Sequence, residues 1–240
     1  MNKDNLLFIK QTLRYLGFGE ALASNEQLEI EMKKGAFEFQ LRTAACFDEW
    51  TTIEATLFFQ KFDNFDTYFF SKYETLLYYP EGGSSGKRQT FYIKDGNGVT
   101  FKEAFNLLQG RSVYKTLLDS DGIKYSTWIQ LSFYERTPDN KNYRVRQFGE
   151  HYGYDLEKAL SVYPIRELED DNLKMNLICS LQKGNLHPVT LVKANKVVKM
   201  FVAAYPEIKS LKIYSEAYGL LKKPSEKGEI GKRPQCKKTK

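Results

Sequence analysis

The chain has 240 residues, 42% hydrophobic and 28% charged, which is enough for one large core or two to three small ones. No run of about 18 apolar residues occurs, so no membrane-spanning helix is expected, and "LLFI" followed by Lys10 and Arg14 is too short and interrupted for a signal peptide. The net charge of +6 is local: eight of the 36 Lys/Arg and two of the 30 Asp/Glu fall in residues 221–240, leaving 28 of each before them, so the body is formally neutral.

Residues 3–16 read as a helix, broken at "GFG". A second helix follows near 25–34, with Ser24 and Gln27 in a capping-box pattern. Gly35 ends it, and "AFEFQLR" then alternates, with Phe37, Phe39 and Leu41 facing one way. "IEATLFFQ" (53–60) places Ile53, Ala55, Leu57 and Phe59 on one face, and a Tyr- and Phe-rich strand covers 67–79. "KDGNGV" (94–99) is a tight turn in which Asp-Gly and Asn-Gly supply positive φ. A helix over 101–109 starts at Thr100 with Glu103 three positions on, and it ends at Gly110. Strands "WIQLSF" (128–133) and "YRVRQF" (143–148) follow across a Pro-Asp-Asn turn. Helices near 155–162 and 171–182 come next, the second capped by Asp170 or Asp171, and Gly184 closes it. "VTLV", "VVKMFVAA" and "SLKIY" complete a last meander.

The glycine joints at 35, 110 and 184 are 75 and 74 residues apart. This spacing predicts an α+β fold in which a helix-to-glycine joint repeatedly launches an antiparallel meander, two to three copies packed together. The expected units are 1–95, 96–150 and 151–220, followed by a disordered basic tail, 221–240, that lacks aromatics.

Few segments carry chemistry. "EGGSSGKRQT" (81–90) is reminiscent of a phosphate-binding loop, but Glu81 and Arg88 break the pattern and strands flank it, so it reads as a hairpin tip with Lys87 and Arg88 free to touch a phosphate or an acidic partner. With only His151 and His187, and with Cys46, Cys179 and Cys236 scattered, no metal site and no cofactor is expected. The cysteine usage fits a reduced, cytoplasmic setting. Acidic clusters such as Glu169-Asp170-Asp171 are read as caps and turns. An enzyme acting on a small-molecule substrate is therefore the reading the sequence favours least. Aromatic and basic residues interleave at "YFFSKYETLLYY" (68–79) and "YRVRQFGEHYGY" (143–154), a pattern that stacks bases when exposed and fills a core when not. Arg144 and Arg146 are the expected exposed basic pair and Trp128 the expected exposed aromatic, while Lys232, Arg233, Lys237 and Lys238 belong to the tail, which reads either as a solvating appendage or as a phosphate-binding arm.

The phrases "FYIKDGNGVTFKEAFNLLQGRSVYK", "WIQLSF", "FGEHYGYDLEKAL", "SLQKGN" and "KMFVAAYPEIKSLKIY" resemble a family of proteins carried on conjugative transposons and plasmids of Bacteroides-type bacteria, over about residues 5 to 218. The family has no assigned activity, so no residue roles transfer. The resemblance implies a cytoplasmic bacterial protein encoded near DNA-transfer functions, with a nucleic acid or another protein as partner. The expected function is a non-catalytic binding module that contacts nucleic acid through the tail and an aromatic, basic sheet face. The competing expectation is a protein–protein adaptor or inhibitor without nucleic-acid affinity.

Overall fold

The computed structural model describes residues 2–19, 22, 26–62, 67–80, 86–119, 121–193 and 196–215. Its helices begin where short polar side chains satisfy free backbone N–H groups. Asn2 accepts from the N–H of Asp4 and Asn5 and opens α1, Lys3–Tyr15. α2 spans Glu26–Lys34; the Ser24 end of its expected capping box lies outside the described residues. α3, Phe101–Leu108, has the expected reciprocal cap: Thr100 N–H donates to Glu103 Oε2 at 2.8 Å and Glu103 N–H to Thr100 Oγ1 at 3.3 Å. Asp155 caps α4, Leu156–Ser161, and Asp170 caps α5, Asp171–Gln182.

Among the described residues ten strands form three antiparallel sheets, an α+β architecture. β1 (Glu38–Ala45), β2 (Thr52–Lys61), β3 (Tyr68–Tyr78) and β4 (Lys87–Tyr92) form a four-stranded meander; β5 (Val113–Leu118), β6 (Lys124–Arg136) and β7 (Tyr143–Phe148) form a second; β8 (His187–Lys193), β9 (Lys196–Tyr205) and β10 (Ser210–Ser215) form a third. Gly35, Gly110 and Gly184, which precede the three sheets, have φ of 74°, 83° and 74°. The chain divides into two compact units, one running to Phe105 and the other starting at Asn106. Residues 96–105 of the expected middle unit fall in the first of these, and residues 106–150 fall in the second together with the described part of the expected C-terminal unit.

In the first unit, α1 and α2 bury Leu6, Ile9, Leu13, Leu28 and Met32, and the sheet buries Phe39, Leu41, Ile53, Ala55, Leu57 and Phe59. Phe37, expected on that same face, is largely exposed just before β1. Much of the aromatic content is spent here. Phe39 stacks on Phe59 at 4.7 Å, Phe59 on Phe70 at 5.1 Å, and Phe18 on Phe101 at 5.1 Å. The buried Tyr68 and Tyr73 direct their hydroxyls to the carbonyls of Ala36 and Val99, both at 2.6 Å. A register shift between β2 and β3 at Phe58/Phe59 lets Phe70 and Tyr73, three apart, share the buried face. Asn5 on α1 pairs with the backbone of Tyr68 in both directions, at 2.7 and 2.8 Å, and so holds helix to sheet. β3 and β4 pair from Leu77↔Lys87 onward, so strands flank the glycine-rich segment as expected, while its tip, 81–85, lies outside the described residues. At the next turn Lys94 and Asn97 exchange both backbone hydrogen bonds, with Asp95 and Gly96 at φ of 51° and 75°. Asn97 and Gly98 do not share that conformation, so only the Asp-Gly pair supplies positive φ.

The second unit places two sheets around one core. Trp128 and Phe148 of the β5–β7 sheet join Leu156, Leu160, Ile165, Leu177, Leu181, Val189, Val202, Ala204 and Leu211. The other face of β6 is buried as well, at Ile129 and Leu131, so Thr127-Trp128-Ile129 runs buried without alternation. A strand covered on both sides loses its period-two pattern. The expectation of an exposed Trp128 is therefore corrected: it is 5% exposed and packs edge-on against Tyr154 at 5.4 Å.

The Gly110 and Gly184 joints are tied to one another. Asn106, fully buried, donates to the carbonyl of Lys183 at 2.7 Å and to Asn185 Oδ1 at 3.0 Å, while Arg111 Nε donates to the carbonyl of Gly184 at 2.8 Å. At Gly184 a Cβ would sit 2.8 Å from both the Ser112 carbonyl oxygen and Val113 Cγ2, whereas at Gly122, with φ of 79°, it would meet nothing within 4 Å. Gly122→Ala should cost about 1–2 kcal/mol for the left-handed backbone alone. Gly184→Ala should cost about 3 kcal/mol or more, because steric overlap adds to the same backbone strain. Urea unfolding of the two variants checks this; equal losses would remove the packing argument.

Candidate functional site

The second unit carries an exposed cluster of cations and rings. The pairing of β6 with β7 sets Trp128 opposite Phe148, Gln130 opposite Arg146 and Ser132 opposite Arg144. Three of the sequence-expected residues, Trp128, Arg144 and Arg146, thus share one face. Its Trp128 end lies under the core, and its Arg144 end faces solvent.

Arg146 donates to the carboxylate of Glu207, and its guanidinium carbon lies 5.3 Å from the centre of the Phe148 ring. Glu207 sits in the turn Pro206–Ile208 that joins β9 to β10. That turn is held by rings: Tyr152 donates its hydroxyl to the Glu207 carbonyl at 2.7 Å, and Tyr205 donates to Glu207 Oε2 at 3.3 Å. Burial, then the Glu207 charge, pushes the Tyr205 phenol up, so it remains a neutral donor. Lys209, in the left-handed region at φ 55°, carries its ammonium 5.1 Å from the Tyr152 ring centre. Lys212 lies between Tyr205 and Tyr214, at 5.6 and 5.8 Å. Arg144 meets Glu135 at 4.0 Å with both side chains more than half exposed, a contact worth little in water. Tyr134, beside Glu135, is wholly exposed.

The sequence reading named Arg144 and Arg146 but not Tyr205, Glu207, Lys209, Lys212 or Tyr214. Its signal was the interleaving of Tyr and Arg at 143–154, and "AYPEIKSLKIY" carries the same interleaving with Lys. Lys87 and Arg88 belong to the first unit. Lys87 is half-buried opposite Leu77, whereas Arg88 is exposed on the outer face of the four-stranded sheet. There Arg88 and Arg42 flank Glu54, Thr56, Glu74 and Leu76 around an open hollow of about 580 Å³. Lys232, Arg233, Lys237 and Lys238 lie outside the described residues.

Among the described residues no group of three or more His, Cys, Asp and Glu is placed to hold a metal ion, and no helix is long and apolar enough to cross a membrane. A smaller hollow of about 310 Å³ is lined by Glu157, Lys158, Ser161, Leu168 and Lys174, with Glu157 and Lys174 paired at 2.8 Å. No protein-family model, curated protein or solved structure matches the chain.

His187 begins β8 opposite Val202. Burial lowers its pKa from the ordinary 6.5, with Glu167 opposing weakly. A base whose folded pKa is depressed contributes stability above its unfolded pKa and loses it as pH falls through the folded one. The His187 ring should therefore titrate below 6.5 by NMR, and stability should fall from pH 6.5 downward by less in His187→Gln than in the unaltered protein.

Proposed function

We propose that the chain is a non-catalytic binding module, an accessory protein of a mobile genetic element. It contacts nucleic acid through the face bearing Arg144, Arg146, Lys209 and Lys212 and through the basic segment 221–240. One observation carries this reading. In a body whose formal charge is balanced, three exposed cations grouped about the Pro206–Ile208 turn each lie near an aromatic ring: Arg146 at Phe148, Lys209 at Tyr152 and Lys212 at Tyr205 and Tyr214. Cations beside rings suit a single-stranded backbone whose bases stack without sequence preference. The resemblance of the sequence to proteins of transferred elements supports the same class of partner.

Fluorescence anisotropy with an oligothymidylate of about 15 nucleotides, at two salt concentrations, tests it. Lys212→Ala and Arg144→Ala should each weaken binding about 2- to 5-fold and lower the slope of log K against log salt by roughly 0.7. Removing residues 221–240 should lower the slope further. No binding at low salt, with or without those residues, ends the proposal.

A protein–protein adaptor is the second reading, favoured by the outer face of the four-stranded sheet. Phe69 and Tyr92 are 40% and 73% exposed there, beside Lys72, and Phe62 at 60% lies 6.2 Å from Phe69. That reading expects a specific protein partner lost on Tyr92→Ala, and no nucleic-acid affinity.

A further inference from the structure

The guanidinium of Arg146, whose planar fork suits a phosphate, is already engaged by Glu207. We infer that Glu207 occupies the position of a phosphodiester on Arg146, so that a bound strand must displace this carboxylate, and that Glu207 thereby sets affinity and selects a polyanion over isolated anions. The inference rests on the nucleic-acid reading above.

The local geometry fits an exchangeable partner. Arg146 and Glu207 are 61 residues apart and meet at the surface, with side chains 41% and 34% exposed. An ion pair so open to water contributes little to stability, and exchanging one anionic partner for another costs little. The backbone of the turn does not depend on the pair. The hydroxyl of Tyr152 holds the Glu207 carbonyl, and Tyr154 donates to the carbonyl of Ser210 at 3.2 Å. Swinging Glu207 off Arg146 also releases the 3.3 Å hydrogen bond from Tyr205, but it leaves Lys209 over Tyr152 and Lys212 over Tyr214. A guanidinium takes carboxylate and phosphate oxygens with the same planar fork, which makes the two anions direct competitors. A lone anion gains one contact by displacing Glu207. A strand also engages Arg144, Lys209 and Lys212 and stacks on the rings, so only the strand gains enough to win.

The test compares the full chain with Glu207→Gln, Arg146→Met and the double variant. Probes are the same oligothymidylate, a sugar-phosphate strand lacking bases, and inorganic phosphate as competitor. Glutamine keeps the side chain's length and a carbonyl to accept from Tyr205, and thermal melting verifies that the fold survives. Glu207→Gln should tighten oligothymidylate binding about 3- to 10-fold and steepen the salt slope by roughly 0.7, the gain of one phosphate contact. The gain should vanish when Arg146 is also replaced. The base-free strand should bind more weakly than oligothymidylate, and inorganic phosphate should compete better against Glu207→Gln than against the unaltered protein. Oligothymidylate binding that is unchanged or weaker in Glu207→Gln overturns this inference alone and assigns Glu207 to holding the face together. Absence of binding in every variant at low salt overturns the nucleic-acid reading, and this inference with it.

Discussion

The turn at Gly184 must be left-handed and bare, and the second unit is built around that requirement. The carbonyl of Ser112 and a methyl of Val113 stand where a side chain would begin. This close approach lets Asn106 and Arg111 reach the carbonyls of Lys183 and Gly184, and it sets the start of β5 beside the end of α5. Buried amide groups are costly when unpaired and directional when paired, so Asn106 specifies one arrangement of the two joints. From that arrangement follows the shared core in which Trp128 and Phe148 meet Leu177, Leu181 and Val202.

The first unit uses a comparable device for a different end. Asn5 pairs with the backbone of Tyr68 as a neighbouring strand would, which aligns α1 over β3 and leaves the opposite sheet face open. Aromatic rings fill the space beneath, and buried tyrosines satisfy their hydroxyls on carbonyls of Ala36 and Val99. Edges are managed as well. The N–H of Thr190 on edge strand β8 donates to both carboxylate oxygens of Glu167, at 3.0 and 2.9 Å, so the carboxylate blocks pairing there with another chain.

The candidate face is a by-product of this packing. Once the β8–β10 sheet shares a core with the β5–β7 sheet, the Pro206–Ile208 turn lands beside β7 and brings Glu207 to Arg146. Lys209 and Lys212 lie over rings, whereas Arg146 has both the Phe148 ring and the Glu207 carboxylate. The ring contacts keep the ammonium groups of Lys209 and Lys212 solvated and available, whereas buried ion pairs would silence them.

Local chemistry determined the elements. Short polar caps at Thr100, Asp155 and Asp170, glycines at helix ends and period-two alternation in β1 and β2 act over a few residues, and the chain states them directly. The antiparallel sheets and the α+β class were legible for that reason, as was the choice of Arg144 and Arg146 as exposed cations. The fate of Trp128 was not. Alternation tells which residues share a face, but it does not tell whether that face meets water or another sheet. That decision belongs to the tertiary structure, because the residues that bury Trp128 lie between Phe148 and Leu211, far along the chain. The same distance hid Glu207, Lys209 and Lys212, ordinary surface residues in the sequence that only the folded chain gathers around Arg146.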